Sequence, residues 1–404
     1  MERTASQYAA RLQSLDEHDL HPLRALLSRA VNEEAMPGVS VWLGVDQGES
    51  EGSHQPRLTQ VSLVEGRYRF DGRSPLVSAT SLYDLASLTK PLATARWCAE
   101  LISLGVLDPE RPIGEVISCH DPYLSETPIW RLLNHSAGLP AHREYQRGFA
   151  YSRMNGGSPS LFKSNVRRMI RSTLTEYIPG EKSIYSDLGY LLLEEICESV
   201  SGDELSQFWE NVHPKGALHF RPLSASSSLK DLQRPTVLDN HYVPTELCSW
   251  RERILCGEVH DDNAWLMGGV CGHAGLFGSA TELGLEALSW LRAYHGEAHE
   301  RGLSPETVRW MFDLRHRAPQ GGSFVLGWDT PSQGYSSAGS LFSRHTVGHL
   351  GFTGTSLWID LERRVVMVIL SNRVYPNRNR PESQKGIRWL RPAIHNELWR
   401  LLNE

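Results

Sequence analysis

The sequence predicts an α+β protein: an antiparallel sheet contributed by both ends of the chain, flanked by terminal helices, with a mostly helical lobe inserted between. Three observations predict it. The chain has 404 residues, which at roughly 150 residues per domain favours two lobes over one. Pairs of short apolar runs with strand character stand near each terminus, while long amphipathic periods fill the middle. On this reading residues 1–85 and 285–404 form the sheet lobe, residues 86–284 form the helical lobe, and a site at their junction draws on both.

The elements follow in order. A helix is expected from about Pro22 to Glu34, where Leu23, Leu26, Leu27, Ala30 and Val31 share one face and Pro22 suits a first turn. Met36-Pro37-Gly38 stops it. Val39 to Val45 reads as a strand, with Leu58 to Val64 as its hairpin partner across a polar loop. Ala86 to Leu104 reads as one long helix with Gly105 at its C-cap, and Leu188 to Val200 and Glu282 to Tyr294 as two more. Loops are marked at 155–159, 226–228 and 319–323 by Gly, Ser and Pro. Near the end, Thr355 to Ile359 and Val365 to Leu370 form a second hairpin. A terminal helix carries Ile387, Leu390, Ile394, Leu398 and Leu401 on one stripe, starting or bending near Arg391 because of Pro392.

Composition narrows the function. With 41 basic and 47 acidic side chains and a net charge of −6, no surplus of positive charge marks a nucleic acid or anionic membrane as partner. No stretch nears the ~18–20 apolar residues of a membrane span. The charged N-terminal segment has no apolar core of the kind a signal peptide needs. The six cysteines contain no C-x-x-C pair, so they read as reduced thiols and the expected compartment is the cytoplasm.

Chemistry is concentrated in three clusters. Ser87-Leu88-Thr89-Lys90 places a hydroxyl and an amine on one helix face, three residues apart, so that lysine can polarise the serine. Ser160/Lys163 and Ser227/Lys230 share the spacing and read as surface residues. Only Ser87 has Asp84 as a candidate cap before it and Pro91 in the turn after it. Tyr185-Ser186-Asp187 enters the Leu188 helix; beside an ammonium group the tyrosine's pKa is expected to fall toward a useful base. His349-Leu350-Gly351-Phe352-Thr353-Gly354 opens the C-terminal hairpin strand, its glycines permitting close backbone approach to a ligand.

In this order and separation the clusters resemble the serine β-lactamase and penicillin-binding-protein superfamily, and most nearly class C β-lactamases, family VIII esterases and their D,D-peptidase relatives. Leu132-Leu133-Asn134-His135-Ser136-Ala137-Gly138-Leu139-Pro140 and Gly275 to Leu283 add to the likeness. The resemblance implies a β-lactamase/transpeptidase-like fold and a metal-free, cofactor-free acyl-enzyme mechanism. Ser87 would be the nucleophile, Lys90 and Tyr185 would share the general-base task with Tyr185 later protonating the leaving group, and the backbone N–H groups of Ser87 and Phe352 would form the oxyanion hole. Asp187, His349 and Gly351 would face substrate.

Two positions depart from the pattern. Asp187 stands where Asn is usual and, ionised, cannot donate to a substrate carbonyl. His349 stands where Lys is usual, so that position offers no fixed cation for a substrate carboxylate. Gly257-Glu258-Val259-His260-Asp261-Asp262-Asn263 resembles a loop of muropeptide amidases that cleave the lactyl–L-alanine bond, which assigns His260 and Asn263 to substrate binding. Taken by residue type alone, His260, Asp261, Asp262 and His273 also form a possible metal set. His135, His142 and Cys119-His120 read as structural. The expectation is a serine hydrolase acting on a small molecule, and in particular on a muropeptide; a carboxylesterase, a weak β-lactamase or D,D-peptidase, and a non-catalytic penicillin-binding-type sensor are the alternatives.

Overall fold

The structure is a computed structural model that describes residues 3–50, 53–214, 216, 218–223, 241–297 and 303–404. Two helices, α1 (Ala5–Ser14) and α2 (Glu17–Asn32), precede strands β1 (Gly38–Ser50) and β2 (Ser53–Gly66). Short strands β3 (Tyr83–Asp84), β4 (His219–Phe220), β5 (Leu247–Cys248), β6 (Arg253–Ile254) and β7 (Leu276–Gly278) punctuate a helical body. Then β8 (Thr346–Leu350), β9 (Ser356–Asp360) and β10 (Val365–Ser371) lead to the C-terminal helix Pro381–Asn403.

The five long strands form one antiparallel sheet in the order β2-β1-β10-β9-β8, so the two chain ends meet where β1 pairs with β10, from Val39 opposite Ser371 to Val45 opposite Val365. Period-two alternation sorts the side chains. Val39, Val41, Leu43, Met367 and Ile369 pack under α1, α2 and the C-terminal helix. Trp42, Val366, Val368 and Leu370 point the opposite way, into the helical body. On the edge strand β8, Val347 shares that inner face. His349, two residues on, does too, and this register aims its ring at the helical body.

Several sequence expectations need correction. The helix expected from Pro22 is α2 and starts at Glu17, five residues earlier, because Asp16 caps it through a reciprocal box with Asp19; α1 ahead of it was not expected. The C-terminal helix runs unbroken through Pro392 from Pro381, whose position at the first turn needs no N–H donor. His349 closes β8 instead of opening a strand. The single helix expected over 86–104 is three pieces: a 3₁₀ turn Ala86–Leu88, a π-helical stretch Lys90–Ala95 and an α-helix Arg96–Ser103. Ser160/Lys163 lies on a helix, Pro159–Arg171, where Lys163 pairs with Glu194 and Glu198; the 226–228 loop and Ser227/Lys230 lie outside the described residues. The six cysteines form no disulfide among the described residues, and no helix among the described residues is long and apolar enough to cross a membrane.

Candidate active site

The turn that carries Ser87 is strained and braced. β3 ends at Asp84, whose buried carboxylate accepts from the backbone N–H of Ala86 (2.8 Å) and of His260 (2.6 Å). Ala86 has φ of +49°, a region an L-residue rarely adopts and one that clusters at functional sites. Pro91 has no N–H to return to the carbonyl of Ser87, four residues back, so the helical ladder cannot close normally there. The π-helical widening follows, and such bulges recur at functional sites. The turn brings Lys90 Nζ to 3.0 Å from Ser87 Oγ.

Lys90 is fully buried and its ammonium has three acceptors: Ser87 Oγ, Asp187 Oδ1 at 2.7 Å and the His273 carbonyl at 3.3 Å. Asp187 reaches it as the first residue of the helix Asp187–Ser201, for which Ser186 is the N-cap. Burial disfavours the charged amine, but the Asp187 carboxylate outweighs it and holds the Lys90 pKa above the ordinary lysine value. Burial likewise pushes Asp187 up, and Lys90 with His142 pulls it well below the usual carboxylate range. At rest the pair is therefore ammonium and carboxylate.

Tyr185 packs over this pair, with Lys90 Nζ 4.8 Å from its ring centre. Rings of His135 (4.5 Å), Phe324 (5.5 Å) and His349 (5.8 Å) hold it in place. Its hydroxyl interacts with both Lys90 and Ser87 but makes no hydrogen bond of good geometry in this state. The pKa lies above 10, opposite to the expected fall, because burial outweighs the Lys90 charge. Tyr185 is a neutral phenol at rest, suited first to donating a proton.

The third cluster is bolted to the first. After His349, the turn 351–355 sends the Thr353 hydroxyl to the Asp84 carbonyl (2.7 Å) and the Thr355 hydroxyl to the Leu85 carbonyl (3.1 Å). A side chain at Gly351 would have its Cβ 2.0 Å from Thr355 Oγ1 and 2.7 Å from the Leu85 carbonyl. Only glycine allows this approach. Burial drives the His349 pKa down to about 3. The ring is thus neutral, donating from Nδ1 to the Leu350 carbonyl (2.8 Å) and leaving Nε2 unpartnered.

These groups open on a cavity of about 730 Å³ whose walls include Ser87, Tyr185, Asp187, His349, Gly351 and Phe352. The structure thereby brings together residues from all three clusters. His260 also lines the cavity, stacked on Phe352 at 5.7 Å and bonded to Glu246 at 2.9 Å. Asn263 does not belong with them. Its amide is consumed by the Arg143 carbonyl (2.8 Å) and the Gln146 N–H (3.2 Å), so it pins a neighbouring segment. The metal reading dissolves too. His273 bonds Asp261, Asp262 bonds Arg251, and His260 bonds Glu246, and no metal-holding group of His, Cys, Asp or Glu occurs among the described residues.

Sequence reasoning missed two features. His142 was read as structural, yet it lines the cavity and its Nδ1 lies 3.0 Å from Asp187 Oδ2; only the spacing from Pro140 hinted at its place. Arginines, whose positions the sequence left open, also reach the cavity. Arg378 is neutralised by Glu246 and Asp262. Arg391 donates to the carbonyls of Gly351 and Thr355, and burial lowers its pKa to about 9. Arg373 lies over the Phe352 ring (4.7 Å) with no carboxylate partner among the described residues. Burial alone brings its pKa to about 10.

An antiparallel sheet joined from both chain ends, with Ser-x-x-Lys beside a Tyr-x-Asp cluster at its edge, is the arrangement of the serine hydrolases of the penicillin-binding type, and comparison with known proteins agrees. The Beta-lactamase family profile matches residues 23–388. A protein of Escherichia coli (strain K12) named "Putative D-alanyl-D-alanine carboxypeptidase" is 33% identical over 336 residues, covering 76% of this chain and 73% of its own. One of the same name from Salmonella agona (strain SL483) is 32% identical with the same coverage. Among solved structures, the octameric penicillin-binding protein homologue from Pyrococcus abyssi has a TM-score of 0.63 at 19% identity, covering 92% of this chain and 76% of that one. EstCE1, a hydrolase with promiscuous acyltransferase activity, has a TM-score of 0.64 at 18% identity, covering 98% and 99%. The chain belongs to the β-lactamase family of serine hydrolases.

Proposed function

We propose that the protein hydrolyses the amide of an N-acyl amino acid or short peptide derived from the cell wall, with N-acetylmuramyl-L-alanine and its muropeptides as the first candidates. The observation that carries this reading is Arg373: a buried guanidinium without an acid, facing the cavity that holds Ser87. An unpaired cation so placed is costly unless a ligand anion compensates it. A substrate whose departing residue bears a free α-carboxylate supplies that anion, in a cavity where the neutral His349 offers no cation.

In this reading Ser87 Oγ bonds to the carbonyl carbon while its proton passes to the Lys90–Tyr185 pair. The backbone N–H groups of Ser87 and Phe352 receive the oxyanion, and the C–N bond breaks as Tyr185 protonates the leaving amine. Water then hydrolyses the Ser87 ester. Six cysteines without a disulfide among the described residues fit a reducing cytoplasm, where recycled wall fragments would be met.

A second reading is a D-alanyl-D-alanine carboxypeptidase. Its support is the name borne by the E. coli and Salmonella relatives and the same Arg373, since that substrate also ends in a carboxylate. Mass spectrometry of digests separates the two. N-acetylmuramyl-L-alanine and a D-alanyl-D-alanine-terminated peptide are each incubated with wild type and Ser87→Ala. Release of L-alanine by wild type alone supports the amidase. Loss of a terminal D-alanine instead favours the carboxypeptidase, and turnover of simple esters only rejects both.

A further inference from the structure

Asp187 has two oxygens and a base on each. Oδ1 is 2.7 Å from Lys90 Nζ and Oδ2 is 3.0 Å from His142 Nδ1, so Ser87, Lys90, Asp187 and His142 form one unbroken chain from the nucleophile to the cavity wall. The inner end is fully buried, whereas the His142 side chain is 42% exposed. Oδ2 leaves Nδ1 as the protonated, donating nitrogen of His142, and Nε2 as the atom that gains or loses a proton.

This chain raises a difficulty that its residues also resolve. An ammonium cannot accept the Ser87 proton, so acylation needs Lys90 as a neutral amine. Neutralising Lys90 alone would strand the Asp187 carboxylate, 18% exposed, without a counter-charge. We infer that His142 is a positioning residue for acylation, carrying the positive charge opposite Asp187 whenever Lys90 is the free amine. The exchange balances: one proton leaves Lys90 Nζ, one arrives at His142 Nε2, and the net charge of the trio is unchanged. Ser87 then gives its proton to Lys90 as Oγ bonds to the substrate carbonyl.

The surroundings of His142 favour its cationic form. Asp187 faces it from the Asp187–Ser201 helix, Asp261 from the loop ahead of residues 262–266, and Glu144 from its own segment. The bond to Asp187 is the largest influence and raises the His142 pKa above the ordinary value. Lys90 reaches Asp187 from the other oxygen, Oδ1. With Asn in place of Asp187 there would be no carboxylate to compensate, so the role of His142 is tied to the departure from the usual Tyr-x-Asn.

The inference rests on Ser87 being the nucleophile, and the test separates the two claims. The rate of Ser87 labelling by a fluorophosphonate probe is followed against pH by intact mass, which needs no natural substrate. His142→Gln keeps a hydrogen-bonding group but no charge; it is expected to slow labelling at neutral pH about tenfold, the factor for one pKa unit, and to move the acidic limb of the profile upward. His142→Lys restores a cation and much of the rate. In an Asp187→Asn background His142→Gln changes nothing further. Equal loss in both backgrounds, or no shift in the Asp187 background, overturns the relay and leaves the nucleophile standing. Absence of label on wild type removes the nucleophile, and the relay with it.

Discussion

Arg373 separates substrate recognition from chemistry at a single residue. Among the described residues its guanidinium bonds neither Ser87 nor Lys90, and it lies over the Phe352 ring. Arg373→Gln is therefore expected to raise KM for a carboxylate-bearing amide about tenfold or more, the range for one lost charge-assisted hydrogen bond. It should leave kcat on a neutral ester within about twofold. The melting temperature should hold or rise, since an uncompensated buried cation has been removed. A KM that rises equally for the neutral ester would show that Arg373 shapes the cavity and does not read charge. This residue was invisible in the sequence as an anchor: it is one arginine among many, singled out only by the absence of an acid nearby.

At the scale of elements, the turn 351–355 acts as a clamp on the nucleophile turn. Gly351→Ala places its Cβ against the Thr355 hydroxyl and the Leu85 carbonyl, and backbone on one side gives little. Overpacking of this kind costs about 1–3 kcal/mol. Equilibrium unfolding in denaturant should show that loss, and Ser87 labelling should slow with it. An alanine variant as stable and reactive as wild type would mean the clamp is loose. The strands were legible as short apolar runs of strand length bounded by turns, at residues 39–45 with 58–64 and at 355–359 with 365–370; the last is apolar throughout because β10 is buried on both faces. The nucleophile helix was misread because apolar periodicity cannot distinguish α from π winding. The difference lies in the donor missing at Pro91 and in the φ of +49° at Ala86, whose N–H is held by Asp84, itself fixed by His260 and Thr353 from distant parts of the chain.

For the whole molecule, buried neutral histidines govern acid stability. Burial pushes His349 and His395 down to about 3 and His135 well below its usual value. In the unfolded chain each titrates near 6.5. Between those limits the unfolded state binds more protons than the native one, so stability is complete above about pH 6.5 and declines as pH falls toward 3. The slope is about 1.4 kcal/mol per pH unit for each histidine. Urea unfolding across this window checks it, and His395→Phe, far from Ser87, should flatten the slope by one histidine's share; an unchanged slope would put the acid sensitivity elsewhere. At this scale the family likeness reached the fold, and the apolar strand pairs at both termini reached the sheet joined from both chain ends. Neither could reach protonation states, because these depend on burial and on partners such as His142 and Asp187 that meet only after folding.

The account turns on Ser87 becoming acylated. Wild-type protein mixed with a slowly hydrolysed p-nitrophenyl ester, quenched in acid within the burst and mapped by peptide mass spectrometry, gives the direct answer. One acyl group on the peptide containing Ser87, absent from Ser87→Ala, is the expected result. Product release without any adduct, or an adduct on another residue that survives in Ser87→Ala, would contradict it.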